Sequence, residues 1–531
     1  MNVRRALPVI VAAAALAGTP VPATRAQDIG ELPPEKPEQS TDASTPEYLA
    51  ALELQRKGRF QAAQKAFWKL LEKHPDSVHR EDMLLRSGWD GTENHFAGVE
   101  VLHESGPSAR RIDVAVMGDG FTVASSDQKR EREWAELCVD VLFSEASFDE
   151  YRDYFNYYYV RLVSEDEKVD PSLTDAQKAK IDEKNKKRAK KRKYDYVTAL
   201  DCKAAGPQGQ VMADRALVYH WLTVADRDRP GCADDGIVIA FARFGQLGMG
   251  GGGVANVGRP DKSITVHEFG HAFVGLLDEY TGNPAPPRYA IRAANATSDQ
   301  ADIPWQHFLD ARVKGVDVIE GGATHSKGVW RPAQSCAMNA AGATGFCPVC
   351  REAAVLAIYR YVSPIDTSSP PDTTELKVVA GDATVLAVTP MQPRRHDLEV
   401  TWQLEPVAPD AAGPEPPAER GATGDGFPWL GPGAGPTAAG FGGARWHRGP
   451  RDRDDRSHLD DPAAGAESNL GRKAKTKKGE PTRHEYAVGG LPPGRYKVTA
   501  IVKDPVDWVL KDDQHLLEER RTWWVTVAPQ R

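Results

Sequence analysis

The sequence predicts an α/β domain built around a histidine-bearing helix, preceded by a short helical hairpin and followed by a β-sandwich that a low-complexity insertion interrupts. Three observations carry this. Between about 90 and 360, apolar β-branched runs alternate with amphipathic stretches, as strands covered by helices require. Beyond Ser363 the apolar period shortens to two. Between 46 and 86, small and aromatic residues recur at helical spacing. At 531 residues the chain has length for two or three domains, and a net charge of −8 gives no general attraction to nucleic acid.

In chain order, residues 1–26 place Arg4 and Arg5 before an alanine-rich apolar core and small residues up to Ala26. That is the layout of a secretory signal, too short to stay as a membrane span, with cleavage expected after Ala23 or Ala26. The mature protein is therefore expected to be secreted or periplasmic, with no membrane span. A linker at 27–45 leads to the hairpin, where Gly58, Phe60, Ala63, Phe67, Leu70 and Pro75 match the second part of a tetratricopeptide-type unit. A single repeat cannot bury its stacking face alone, so it is expected to cap the next domain.

The central domain, 87–364, opens with a strand at 112–116, an amphipathic helix at 127–143 and a strand at 157–163. Cys138 shares the helix's apolar face with Trp134, Val141 and Leu142 and reads as core. The basic run at 178–193 lacks interleaved aromatics and reads as a solvated helical insertion, with no nucleic-acid partner. A buried strand at 236–241 follows. The glycines at 248–253 formally fit a dinucleotide fingerprint, but no helical pattern follows them. They read as a flexible loop beside a cleft, whose bare backbone could pair with an extended peptide.

Next comes His267-Glu268-Phe269-Gly270-His271. Four residues apart on a helix, the two histidines share one face and can chelate one Zn²⁺, while Glu268 beside them can take a proton from a metal-activated water. A catalytic zinc needs a third protein ligand and an open position. The spacing of the HExxHxxGxxH pattern does not hold, since Val274 and Leu277 occupy its last two fixed positions. Shifting by one residue restores the logic: Gly275 turns the chain and Asp278 returns three residues later. Were the helix to continue, Asp278 would lie about 10 Å along the axis from His271, beyond reach. Asp278 is the preferred third ligand, with Glu279 as its rival. A strand, a glycine loop and a zinc helix stopped by glycine resemble the metzincin-like proteases.

The chain also resembles the IgA-peptidase type of secreted zinc metallopeptidase, family sixty-four of the metallo class. The resemblance rests on the block at 267–280 (HEFGHAFVGLLDEY), on VMGDGF at 116–121, on YFNYY at 154–158, on SCAM at 335–338 and on FCPVCRE at 346–352. It implies a zinc endopeptidase acting on a protein or peptide, with His267, His271 and Asp278 holding the metal and Glu268 as general base. It further implies that Met338 is the Met-turn residue beneath the zinc.

Six cysteines in an exported protein favour disulfides, and a bridge from Cys336 to Cys347 or Cys350 would pin the floor of the site. Cys347 and Cys350 alone supply too few ligands for a structural zinc, and no surrounding βαβ unit supports a redox CxxC. In the last domain, 365–531, alternation at 376–388, 398–404, 486–488, 495–502 and 523–527 reads as an immunoglobulin-like β-sandwich, with Tyr496, Val498, Ala500 and Val502 on one buried face. The insertion at about 406–480 is too poor in apolar residues to fold. Two functions compete: an active zinc endopeptidase, and a catalytically retired protease scaffold serving as an extracellular binding protein.

Overall fold

A computed structural model describes residues 43–56, 59–80, 83, 96–122, 124–164, 174–189, 198–205, 210–245, 247–339, 345–370, 375–408 and 482–530. The expected signal at 1–26 and nearly all of the insertion at 406–480 lie outside the described residues. The protein is mixed α/β and contains several sheets.

Helices Thr45–Arg56 and Phe60–Lys73 pack through Ala51, Leu52, Ala63, Phe67 and Leu70. Strands β1 (Phe96–His103), β2 (Ile112–Asp119) and β3 (Phe155–Leu162) follow, then a small hairpin of β4 (Lys203–Ala205) and β5 (Gln210–Met212). Strands β6 (Ile237–Ala242), β7 (Met249–Gly251) and β8 (Val254–Val257) complete a six-stranded sheet of order β1-β3-β2-β6-β8-β7. The four inner strands run parallel and the two edges antiparallel.

The inner strands read as continuous apolar runs because both faces are covered. Successive residues point to opposite faces. Val114, Val116, Ile239 and Phe241 join the core shared with the helix Ser125–Leu142 and the histidine helix. Ala115, Met117, Val238 and Ala240 join a second core beneath the helix Arg215–Asp228. Cys138 is fully buried in the first core. Asp119, at the end of β2, folds the 198–202 segment against the sheet: its carboxylate accepts from Thr198 Oγ1 at 3.0 Å, Leu200 N at 2.8 Å and Cys202 N at 3.1 Å. The basic segment is helical over Asp175–Ala189 and largely exposed.

The glycine tract departs from the expected flexible loop. Residues 249–251 are the edge strand β7, paired Met249 to Asn256 and Gly250 to Ala255 on β8. The glycines admit the histidine helix against the strand. A Cβ on Gly248 would lie 2.4 Å from the Glu268 Cγ, and one on Gly250 would lie 2.2 Å from the Glu268 carbonyl oxygen.

Beyond that helix, β9 (Thr281–Asn283), β10 (Arg292–Ala293), β11 (Ala296–Thr297), β12 (Ile319–Gly322) and β13 (Thr324–Arg331) form a second sheet. The helix Pro348–Tyr361 then leads, among the described residues, to seven strands in two sheets. One contains β14 (Ile365–Ser369), β16 (Val385–Pro390) and β18 (His484–Ala487); the other contains β15 (Glu375–Val379), β17 (Glu399–Val407), β19 (Gly494–Lys503) and β20 (Glu518–Ala528). Val498, Ala500 and Val502 are fully buried, with Tyr496 packed partly exposed beside them. The stretch 376–388, which alternates like a single strand in the sequence, is divided between β15 and β16 in different sheets, with Gly381 at φ +95 between them.

The C-terminal sheets are locked to the central domain through Asp504, which is 2 % exposed. It accepts from Tyr151 Oη at 2.8 Å and Tyr359 Oη at 2.6 Å, and pairs with His396 Nε2 at 2.8 Å, whose Nδ1 lies 2.9 Å from Glu150 Oε1.

Candidate metal centre

The helix Lys262–Phe269 starts at Asp261, whose carboxylate accepts from Ile264 N at 3.0 Å. Val266 and Phe269 are buried against the sheet, and Phe269 meets Phe148 edge-on at 5.2 Å between ring centroids. The α-helix then widens into a π-turn over Gly270–Val274, and Gly275 closes it in the left-handed conformation, φ 79 and ψ 25, its N–H donating to the Gly270 carbonyl. A side chain is strained in that backbone region, which is why glycine ends the helix here.

The chain turns back after Gly275 and brings Asp278 to the histidines. Asp278 Oδ1 lies 3.0 Å from His267 Nε2 and 3.1 Å from His271 Nε2, and the two Nε2 atoms are 3.1 Å apart. Each Nδ1 faces a backbone carbonyl, His267 that of Ala337 at 2.9 Å and His271 that of Leu276 at 2.6 Å. Donation from Nδ1–H to these carbonyls orients both rings so that each Nε2 faces the carboxylate. Held this close, the two ring nitrogens and the carboxylate oxygen share either a proton or a metal ion in its place. Tetrahedral zinc, with bonds of about 2.0–2.1 Å, sets its donors about 3.3 Å apart, so this donor set fits the ion.

Electrostatics follow from the same contacts. Burial would raise the Asp278 carboxyl, but the two imidazoles outweigh it and hold the group well below the ordinary carboxylate range. Burial would lower His267, but Asp278 and Glu268 outweigh it and push the imidazole up to about 9. Glu268 shifts upward because it is buried, with the two imidazoles opposing. Its carboxylate lies within 4.8 Å of the histidine donor atoms, beside the Nε2–Nε2–Oδ1 triangle that Asp278 closes at shorter range. Met338 is fully buried beneath the helix, where a Cβ on Gly270 would approach its sulfur to 2.8 Å.

Glu279, the rival third ligand, turns the other way. It is fully buried, accepts from Asn295 Nδ2 at 3.1 Å and lies 3.1 Å from Cys350 Sγ. The expected bridge from Cys336 is not formed. No disulfide joins the six cysteines, and Cys336, Cys347 and Cys350 surround Glu279 instead of pairing.

Several residues that hold the site were not singled out in the sequence. Asn295 brackets the loop before Asp278, accepting from Leu277 N at 3.0 Å and donating to Leu277 O at 2.8 Å. Backbone bonds strap the same loop to its surroundings, from Ala323 N to Asp278 O at 2.6 Å and from Glu279 N to Met338 O at 2.6 Å. Tyr280 stacks beside His267, with ring centroids 6.2 Å apart. No local pattern marks Asn295 or Ala323, because each acts across a gap in sequence, whereas Tyr280 ends the block at 267–280 without a role assigned to it there.

Two histidines and a glutamate on one helix, with a carboxylate returned from the loop after it, define a candidate hydrolase of the metal-dependent class. Residues 100–182 match the family model described as IgA Peptidase M64, which is the family that the sequence motifs resemble. The match runs from β1 through β3 into the basic helix and ends before the histidine helix. No curated protein matches the chain. Among the described residues, no helix is long and apolar enough to cross a membrane.

Proposed function

We propose that the protein is an exported zinc endopeptidase with a metzincin-like catalytic domain, in which His267, His271 and Asp278 hold the metal and Glu268 is the general base. The observation that carries this is the triangle of two Nε2 atoms and Oδ1 at 3.0–3.1 Å, with the Glu268 carboxylate beside it. Zinc bound there would polarise the scissile carbonyl and lower the pKa of water. Glu268 then accepts the proton of the attacking water and returns it to the leaving amine.

The edge strand β7 borders the same helix and pairs with β8 on one side only. An extended peptide added to its other edge would run past Glu268, which makes an unfolded or loop segment of a protein the substrate class. We read the seven C-terminal strands as an immunoglobulin-like sandwich that braces the domain, and residues 1–26 as an export signal. A retired scaffold is not favoured, because the base, both imidazoles and the carboxylate are all retained. Treatment with 1,10-phenanthroline should abolish cleavage of a denatured protein substrate, and added zinc should restore it. Cleavage that survives complete metal removal would sink this reading.

A further inference from the structure

We propose that Glu279, Cys336, Cys347 and Cys350 form a second, structural zinc site behind the first. These residues come from three segments: the loop after the histidine helix, the turn holding Met338, and the start of the helix Pro348–Tyr361. All four are buried, none more than 4 % exposed, and their donor atoms lie within 4.8 Å of one another. Glu279 Oε1 is 3.1 Å from Cys350 Sγ and 4.0 Å from Cys347 Sγ. Tetrahedral zinc, with bonds of about 2.3 Å to sulfur and 2.0–2.2 Å to oxygen, sets such pairs about 3.5 Å apart, between those two values.

The surroundings suit a thiolate-rich centre. The backbone N–H groups of Met338 and Cys347 point at Cys336 Sγ, at 3.5 and 3.4 Å, and Asn295 orients the Glu279 carboxylate. The N-terminus of the helix that carries Cys350 favours negative charge. Glu279 Oε2 is buried with no hydrogen-bond partner among the described residues, so the carboxylate is not fully satisfied by protein groups alone. Four protein donors and no exposure leave no open position, so the site is structural, not catalytic. On binding, the thiols lose their protons to solvent.

The position explains the purpose. Glu279 follows Asp278 directly, and Ala337, whose carbonyl holds His267 Nδ1, lies between Cys336 and Met338. A metal here ties the loop bearing Asp278 to the turn that supports His267.

The test uses the full chain with His267→Ala and His271→Ala together, which removes the first site. That variant should retain one zinc per chain, and X-ray absorption should show three sulfur neighbours at about 2.3 Å. A mercurial should release this zinc, and all six thiols should titrate after denaturation without reductant. Adding Cys350→Ser should lose the metal. A zinc-free double-histidine variant, coordination by nitrogen and oxygen alone, or fewer than six titrating thiols (a disulfide) would overturn the proposal. A sulfur-bound zinc in a protein without peptidase activity would support this site and count only against the proposed function.

Discussion

Replacing Gly250 with alanine tests how the edge strand positions the histidine helix. The new Cβ would sit 2.2 Å from the Glu268 carbonyl oxygen and 2.8 Å from His271 Cβ. Both obstacles belong to the helix that carries Glu268 and both histidines, and no flexible side-chain end can swing aside. Reaching even 3.0 Å from that oxygen requires strand and helix to part by about 0.8 Å. Overpacking of this kind costs about 1–3 kcal/mol of stability. A shift approaching 1 Å in catalytic geometry costs about a hundredfold in rate. The backbone at Gly250 is one that alanine can adopt, so the effect reports contact and not strain. Gly282→Ala is the control, because its Cβ would meet only the Thr324 carbonyl at 3.8 Å. Comparing kcat/KM on one peptide, thermal melts and zinc content should show a loss on the order of a hundredfold for Gly250→Ala, with a fold that survives, and none for the control. Full activity in Gly250→Ala would refute the close packing of strand on helix.

Further outcomes follow from the same geometry. Asp278→Ala should lose the zinc held by the two histidines, while Glu279→Ala should keep it and lose only the sulfur-bound one; the reverse pattern by metal analysis and X-ray absorption would exchange the two assignments. Asn295→Ala frees the loop before Asp278 and should weaken zinc binding at the histidine site about ten- to a hundredfold in a chelator competition, as loss of an orienting partner does. At the domain junction, the Asp504 and Glu150 carboxylates outweigh burial and raise His396, while His396 and the two tyrosines outweigh burial and lower Asp504. The His396 contribution to stability is therefore complete below about pH 6.5 and lost as pH rises through its raised folded value. That of Asp504 is present above about pH 4 and lost as pH falls through its depressed value. Melting temperature against pH should show both limbs, and His396→Ala should remove the alkaline one.

The parts of the protein that were legible in sequence depend on short-range periodicity. Strands β2, β3 and β6 show as apolar runs because both their faces are buried, and His267, Glu268 and His271 are placed by one helical turn. The return of Asp278 could be argued from Gly275 alone, because a left-handed residue there is the local cause of the turn. What sequence did not reveal depends on contacts between distant segments. Gly248 and Gly250 read as flexible because nothing local shows that Glu268 and His271 press on them. Glu279 and Cys336 stand 57 residues apart, and their meeting with Cys347 and Cys350 depends on the fold. For the same reason the cysteines, read by compartment, suggested bridges, whereas their placement suggests a shared ion.

The role of Glu268 can be tested with a change that removes the base and leaves the metal donors intact. Glu268→Gln keeps the size of the side chain beside His267 and His271 but cannot accept a proton. Zinc content and cleavage of a denatured protein substrate should be measured on the same preparation. The variant should carry as much zinc as the wild type, with cleavage reduced at least about a hundredfold, the lower range for loss of a general base. Equal proteolysis by the two proteins at equal zinc content would contradict the mechanism.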